Sequence, residues 1–186
     1  MQVLSLPQLY RLLTERLAGF RPDPGEGVRA FLIEQILQGT ARAGGPFRLF
    51  HRLAESYTVG APILQAIQEL KEAGFSLEEV TAWQSDPELV SDPITQTRLQ
   101  DLCHVWSLYE QALARVGWQD PIDGVQMALQ VLTEMDTDRA RDRLGLPDCI
   151  AFYGFFSFTG LSSRLVEAMA AHARVTLFFA VPLVPR

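Results

Sequence analysis

Two short apolar runs near the C-terminus flank an amphipathic segment, and this pattern predicts the α/β part of the fold. Residues 150–155 and 175–181 are rich in β-branched and aromatic residues, as expected of strands that are buried on both faces. Between them, Thr159 can cap a helix whose apolar residues recur on one face. A strand, a helix and a strand within about 33 residues predict one right-handed βαβ unit of a parallel sheet.

The N-terminal half is predicted to be mostly helical. Residues 3–6 predict a further short strand, and Ser5 then begins a capping box with Gln8 that starts the first helix. Gly19 ends that helix. The spacing of apolar residues predicts the next helices at about residues 28–38, 47–57 and 62–73, followed by a short fifth helix that Ser76 caps.

The longest amphipathic segment lies in the middle of the chain, and Asp92 caps it. Apolar residues repeat at alternating spacings of three and four from Leu99 to Val116. This narrow seam predicts a helix of roughly 24 residues that packs against other helices along its length. Asp120 caps the following helix by the same logic, and residues 135–143 are charged, as expected of a solvated turn of helix.

Together these elements predict an α/β fold that is predominantly helical, with a small parallel sheet and a large helical insertion. Residues 1–20 are expected to form the first strand and helix of the α/β core. Residues 21–146 are expected to form the helical insertion, as an accessory subdomain. Residues 147–186 are expected to form the βαβ unit that completes the core.

Composition and charge narrow the classes of function. The 186 residues are 48% hydrophobic and 20% charged, which is ordinary for a soluble globular protein. No apolar run approaches the ~20 residues that cross a bilayer, and no secretion signal is recognisable, so we expect a cytoplasmic protein without a membrane partner. Cys103 and Cys149 lie in apolar segments, which favours two buried thiols over a disulfide. The formal net charge of −6 argues against a general affinity for nucleic acid.

Residues with recognisable catalytic chemistry are scarce. A phosphate-binding P-loop requires a lysine after a glycine-rich turn, and Lys71 is the only lysine and lies inside a predicted helix. The three histidines lie on different predicted helices without a second ligand at zinc spacing, so no metal site is expected. The first strand of the βαβ unit ends in aromatic residues, at the position where nucleotide hydrolases present carboxylates to Mg²⁺. No catalytic residue and no cofactor are therefore assigned.

Gly154-Phe155 and Phe158-Thr159 form a Gly-Phe-x-x-Phe-Thr pattern between this strand and the next helix. This pattern and the order of the predicted elements resemble the superfamily-one helicase-like domain. More narrowly, they resemble the B subunit of AddAB-type ATP-dependent helicase–nucleases. The resemblance implies that the small sheet is part of a RecA-like core.

In active helicases of this superfamily, the matching strand ends in an acidic motif that serves ATP hydrolysis. On this chain, the motif positions are Tyr153, Gly154, Phe155, Phe156 and Ser157. The resemblance therefore implies a helicase-like domain that does not hydrolyse ATP, as part of an ATP-dependent exonuclease.

The resemblance also implies a role in DNA recombination and repair. Such a module would hold or guide single-stranded DNA and pack against a partner subunit of the helicase–nuclease. Ser5 lies where active relatives contact single-stranded DNA, with Gln8 nearby; the alternative is that Ser5 only caps its helix. In the insertion, the candidates for phosphate contact are Arg42, Arg48 and Arg52.

Two other functions remain alternatives on sequence grounds. A helical protein–protein interaction scaffold without DNA binding would leave the seam from Leu99 to Val116 partly exposed, and it fits the negative charge. A small-molecule enzyme with an unrecognised site is the third.

Overall fold

The computed structural model describes residues 3–19, 21–55, 58–84, 86, 88–155 and 158–179. In chain order, the helices and strands of these residues are α1 (Leu6–Leu13), α2 (Glu26–Arg42), α3 (Gly60–Glu72), α4 (Leu77–Trp83), α5 (Pro93–Val116), α6 (Pro121–Glu134), α7 (Thr137–Leu144), β1 (Cys149–Phe155), α8 (Gly160–Ala170) and β2 (Arg174–Phe179). A π-helical segment, Thr14–Ala18, continues α1, and a 3-10 helix spans Phe50–Glu55. The fold is predominantly helical with a small parallel sheet, as the sequence predicted.

The chain divides into two compact units. Unit 1 comprises Met1–Phe20 and Pro121–Arg186, and unit 2 comprises Arg21–Asp120. The sequence had grouped residues 121–146 with the insertion, whereas α6 and α7 pack into the core of unit 1. The reason is that Leu132 of α6 and Leu144 of α7 are buried in one cluster with Leu13 of α1.

The predicted βαβ unit is present in unit 1. Strands β1 and β2 pair in parallel from Cys149–Arg174 to Phe155–Phe179, with α8 as the connection between them. Thr159 caps α8 by accepting a hydrogen bond from the peptide N–H of Ser162 at 3.3 Å. The core of unit 1, drawn from α1, the π-helical segment, α6, α7, β1 and α8, consists of Leu13, Leu17, Ile122, Val125, Ala128, Leu129, Leu132, Ala140, Leu144, Phe152, Leu161, Leu165, Ala168 and Met169.

The expectation that both faces of this sheet are buried is wrong. Phe152 of β1 lies in the core of unit 1, whereas the neighbouring Tyr153 is 84% exposed and Phe178 of β2 is half exposed. Successive side chains of a strand point to opposite faces, so one face packs on the core of unit 1 and the other is open in the part of the chain that is described.

The expected strand at residues 3–6 is also not formed. Residues 3–5 have no regular structure, α1 begins at Leu6, and Val3 is 78% exposed. A strand is held by ladder hydrogen bonds to a neighbouring strand, and within the described ranges β1 and β2 pair only with each other. Ser5, in contrast, caps α1 as predicted.

Unit 2 is helical, and α5 runs through it for 24 residues, with Asp92 as its N-cap. The predicted second helix is longer than expected, at Glu26–Arg42. Of the predicted third helix, the described residues form the 3-10 helix Phe50–Glu55. The core of unit 2 consists of Ile33, Leu37, Phe47, Ile63, Leu64, Ile67, Val80, Cys103, Val105, Trp106, Tyr109 and Leu113. Helices α2 and α3 approach so closely at Gly60 that a Cβ atom there would overlap the carbonyl group of Ala30.

Candidate functional site

The two N-terminal candidates, Ser5 and Gln8, use their side chains within the first turn of α1. The peptide N–H of Ser5 donates to Gln8 Oε1 at 2.8 Å, and the peptide N–H of Gln8 donates to Ser5 Oγ at 3.4 Å. This reciprocal pair is a capping box, which accounts for both residues locally. Both lie in unit 1, whereas the three candidate arginines lie in unit 2.

The candidate arginines lie on one stretch of unit 2, residues 42–52, which we call the arginine segment. Arg42 is the last residue of α2, Arg48 precedes the 3-10 helix and Arg52 lies within it. All three are exposed. None of their guanidinium groups has an ion-pair partner among the residues that the structure describes. The sequence contains no acidic residue between Glu34 and Glu55, so the segment is locally cationic.

The backbone of the arginine segment is held by Asp101, a buried residue of α5. The peptide N–H of Arg48 donates to Asp101 Oδ1 at 3.1 Å and to Oδ2 at 3.2 Å. The N–H of Leu49 donates to Oδ2 at 2.7 Å and that of Phe50 at 2.8 Å. Three consecutive peptide N–H groups therefore point at one carboxylate, an arrangement typical of a backbone anion nest.

A ring contact with α5 and two contacts within the arginine segment add to this support. The Phe47 ring is buried and meets the His104 ring of α5 edge-on, with ring centroids 5.4 Å apart. The Phe50 ring lies 6.3 Å from that of Phe47. His51 Nδ1 lies 3.0 Å from the carbonyl oxygen of Arg48. The arginines thus project from a backbone with fixed geometry.

The net charge of the chain is carried by unit 2. Residues 21–120 contain eight basic and fourteen acidic residues, whereas the residues of unit 1 contain eight of each. The arginine segment is therefore a cationic stretch within an acidic unit. Long-range repulsion from this acidic unit weakens the attraction of the segment for phosphate, most strongly at low salt.

The positions that match the acidic helicase motif lie at the end of β1. Tyr153 is exposed, with its ring centroid 6.4 Å from that of Phe178. Gly154 has φ +84°, a conformation that favours glycine, at an irregularity in the register of the strands. Phe155 is the last residue of β1, and the predicted positions Phe156 and Ser157 lie outside the described residues. None of the five residues is acidic.

Sequence reasoning missed a buried ionic cluster in unit 2. Arg29 Nη1 donates to Asp120 Oδ2 at 3.0 Å, and the Tyr109 hydroxyl donates to the same oxygen at 2.8 Å. Arg29 Nε lies 3.4 Å from Asp23 Oδ1. Burial opposes the charge of the guanidinium, but the Asp120 and Asp23 carboxylates outweigh it and raise the pKa of Arg29. The sequence had predicted Asp120 only as a helix cap.

Lys71, the only lysine, is buried beside this cluster. Its Nζ lies 3.2 Å from Glu110 Oε1, which also accepts a hydrogen bond from Trp106 Nε1 at 2.6 Å. The ammonium group lies 5.5 Å from the Trp106 ring centroid and 5.9 Å from that of Tyr109. These contacts give Lys71 a structural role, consistent with its interpretation as a helix-interior residue.

The histidines and cysteines do not assemble into a metal site in the part of the chain that is described, where no three His, Cys, Asp or Glu side chains could hold a metal ion. His172 is buried, with Nε2 2.9 Å from the carbonyl oxygen of Leu132. Cys103 is buried as expected, but Cys149 is exposed, so its predicted burial is wrong.

Among the described helices, none has the length and apolar character needed to span a membrane.

Comparison with known proteins adds no family assignment. No protein-family model matches the chain, and no curated protein sequence matches it. The function is therefore inferred from the geometry of the chain's own residues.

Proposed function

We propose that this chain is a non-hydrolytic, helicase-like module of a DNA recombination and repair helicase–nuclease, and that it holds single-stranded DNA in the cytoplasm. One observation carries the proposal: Arg42, Arg48 and Arg52 are exposed, lack carboxylate partners in the described structure and lie on a stretch without acidic residues. Guanidinium groups suit bidentate contact with phosphate oxygens.

The number of arginines sets the expected salt dependence. If each contacts one phosphate, the slope of log affinity against log salt is about −2, from roughly −0.7 per contact on a single strand. Because only three arginines are expected to contact phosphate and this attraction falls as salt rises, the affinity is expected to be weak at moderate salt. The segment therefore serves to hold DNA locally rather than to bind it tightly.

Two observations support the non-hydrolytic part of the proposal. The strand end that would hold Mg²⁺ in a nucleotide hydrolase carries Tyr153 and Gly154 instead of carboxylates. The only lysine, Lys71, is 2% exposed and contacts Glu110 rather than solvent. Neither site is equipped to bind and polarise a triphosphate.

The open face of the sheet in unit 1 supports a partner subunit. Parallel strands are ordinarily covered on both faces, and here Tyr153 and Phe178 are exposed on the face that no described segment covers. We assign this face to the protein partner that contributes ATP hydrolysis and nuclease activity.

Fluorescence anisotropy with a labelled single-stranded oligonucleotide, at low and at moderate salt, tests the DNA-binding proposal. The triple variant R42A/R48A/R52A is expected to lose binding and most of the salt dependence. The matched control R21A/R98A/R115A removes the same charge from exposed positions elsewhere in unit 2 and is expected to retain most of the affinity. No binding by the wild type at low salt, or equal losses in both triple variants, would refute the proposal.

The scaffold alternative expects the seam from Leu99 to Val116 to be partly exposed. Trp106, Tyr109 and Leu113, at the middle of the seam, are buried in the core of unit 2, which leaves little apolar surface there for a protein partner. Leu99 and Leu102 are half-buried against the same core, and of the seam only Val116 at the helix end is exposed.

A further inference from the structure

We propose that Asp101 is a positioning residue for DNA binding: its buried carboxylate fixes the backbone from which Arg48 and Arg52 reach phosphates. This inference rests on the proposed function and extends it to a residue that does not itself contact DNA.

Asp101 contacts a part of unit 2 that is distant in sequence, and not residues within its own turn of helix. Asp101 lies on α5 and is 3% exposed. The three N–H groups that donate hydrogen bonds to it belong to residues that precede it by 51 to 53 positions in the sequence. The first N–H groups of a helix have no partner within the helix and need an external acceptor. Pro46 and Phe47, which precede this stretch, offer no side-chain acceptor, so Asp101 supplies the cap from a distance.

The three arginines depend on Asp101 to different degrees. Arg48 donates its own peptide N–H to the carboxylate, and Arg52 lies in the 3-10 helix that begins at Phe50. Arg42 is part of α2, whose backbone is held by its own helical hydrogen bonds. Loss of the carboxylate should therefore displace Arg48 and Arg52 and leave Arg42 in place.

Positioning and simple electrostatics predict opposite results when Asp101 is neutralised. Removal of a negative charge near a cationic stretch should strengthen phosphate binding if only charge matters. If the carboxylate holds the arginines in place, the same change should weaken binding. In D101N, an amide oxygen replaces the carboxylate and makes weaker hydrogen bonds; in D101A, no acceptor remains.

The experiment measures oligonucleotide binding by wild type, D101N and D101A in the full chain. We expect affinity to fall in that order, and the salt slope to shrink by up to about 1.4 when two contacts are lost. The control E72Q removes the same charge from an exposed side chain of unit 2 and should bind at least as tightly as wild type.

A double-mutant cycle and hydrogen exchange separate positioning from general stability. In the R48A/R52A background, D101N should cause no further loss of oligonucleotide affinity. In the R42A background it should cause its full loss, because Asp101 acts through Arg48 and Arg52. The amides of residues 48–50 should exchange faster in the Asp101 variants. If D101A does not fold, D101N provides the same test. Its affinity for the oligonucleotide should fall as the amides of residues 48–50 lose protection from hydrogen exchange.

The outcomes distinguish this inference from the function on which it rests. No binding by the wild type at low salt would overturn both. Wild-type binding, with unchanged or tighter binding in an Asp101 variant whose amides have lost protection, would overturn the positioning role alone.

Discussion

The hydroxyl of Tyr109 offers a test of the buried ionic cluster in unit 2. In Y109F the ring keeps its packing, but the 2.8 Å hydrogen bond to Asp120 Oδ2 is lost. Asp120 and Tyr109 are fully buried, so no solvent replaces the donor. Only Arg29 then remains of the two hydrogen-bond donors described here.

The size of the effect follows from the charge on the acceptor. A hydrogen bond to a charged group contributes about 1.5–3 kcal/mol, and we expect Y109F to lower the free energy of unfolding by about this amount. With a urea m-value of about 1–3 kcal/mol per molar, the midpoint should fall by roughly 1 M. Trp83, Trp106 and Trp118 are the only tryptophans and all lie in unit 2, so their fluorescence reports its unfolding.

The pH dependence gives a second signature. Burial, followed by the Asp120 charge, raises the pKa of Tyr109 well above its usual range, so the folded state holds the proton at alkaline pH. In the unfolded chain, the Tyr109 hydroxyl ionises near pH 10. The stability that Tyr109 contributes is therefore full below about pH 10 and is lost as pH rises further. The difference between wild type and Y109F should therefore shrink above about pH 10.

A matched control is Y153F, which removes the hydroxyl of an exposed tyrosine in unit 1. Its effect, followed by circular dichroism, should stay within about 0.5 kcal/mol. If Y109F also changes the unfolding free energy by less than about 0.5 kcal/mol, the Asp120 carboxylate does not depend on this hydroxyl and the reasoning is refuted.

Two further predictions concern single helices. G60A places a Cβ against the carbonyl group of Ala30 and should destabilise unit 2 by about 1–3 kcal/mol, as overpacking does. G39A, at a helical glycine with open space, should stabilise it by about 0.5–1 kcal/mol; thermal unfolding that gives the same sign for both would contradict the close approach. Hydrogen bonds from the Thr95 hydroxyl and peptide N–H lower the pKa of Asp92, so the stability it contributes is present above about pH 4 and lost as pH falls further. Below about pH 4, the free energy of unfolding should fall less steeply with decreasing pH in D92N than in wild type. Parallel curves of unfolding free energy against pH for the two proteins would refute this.

Local features of the fold were predictable because they depend on residues a few positions apart. The capping boxes at Ser5 and Ser76 and the cap at Asp92 are formed as predicted. The βαβ unit followed from two apolar runs and an amphipathic helix between them. The caps are set by hydrogen bonds within one helical turn, and each element of the βαβ unit is set by its own hydrophobic periodicity, which the order of residues determines.

The sequence placed the candidate arginines, but not what holds them. Arg48 and Arg52 were chosen from the resemblance and their residue type, whereas Asp101, some fifty positions away, gave no signal as their support. Such a contact depends on how α5 lies against an earlier segment of unit 2, and no local pattern encodes that position.

The amino-acid sequence by itself determined the helical class, the βαβ unit, the absence of a P-loop motif and the distribution of charge. Only the tertiary structure decided that α6 and α7 pack in unit 1, that Tyr153 lies on an open face and that Asp120 is buried with Arg29. The physical reason is range. Caps and periodicity act within a few residues, whereas burial and ion pairing depend on which distant segments come to share a core.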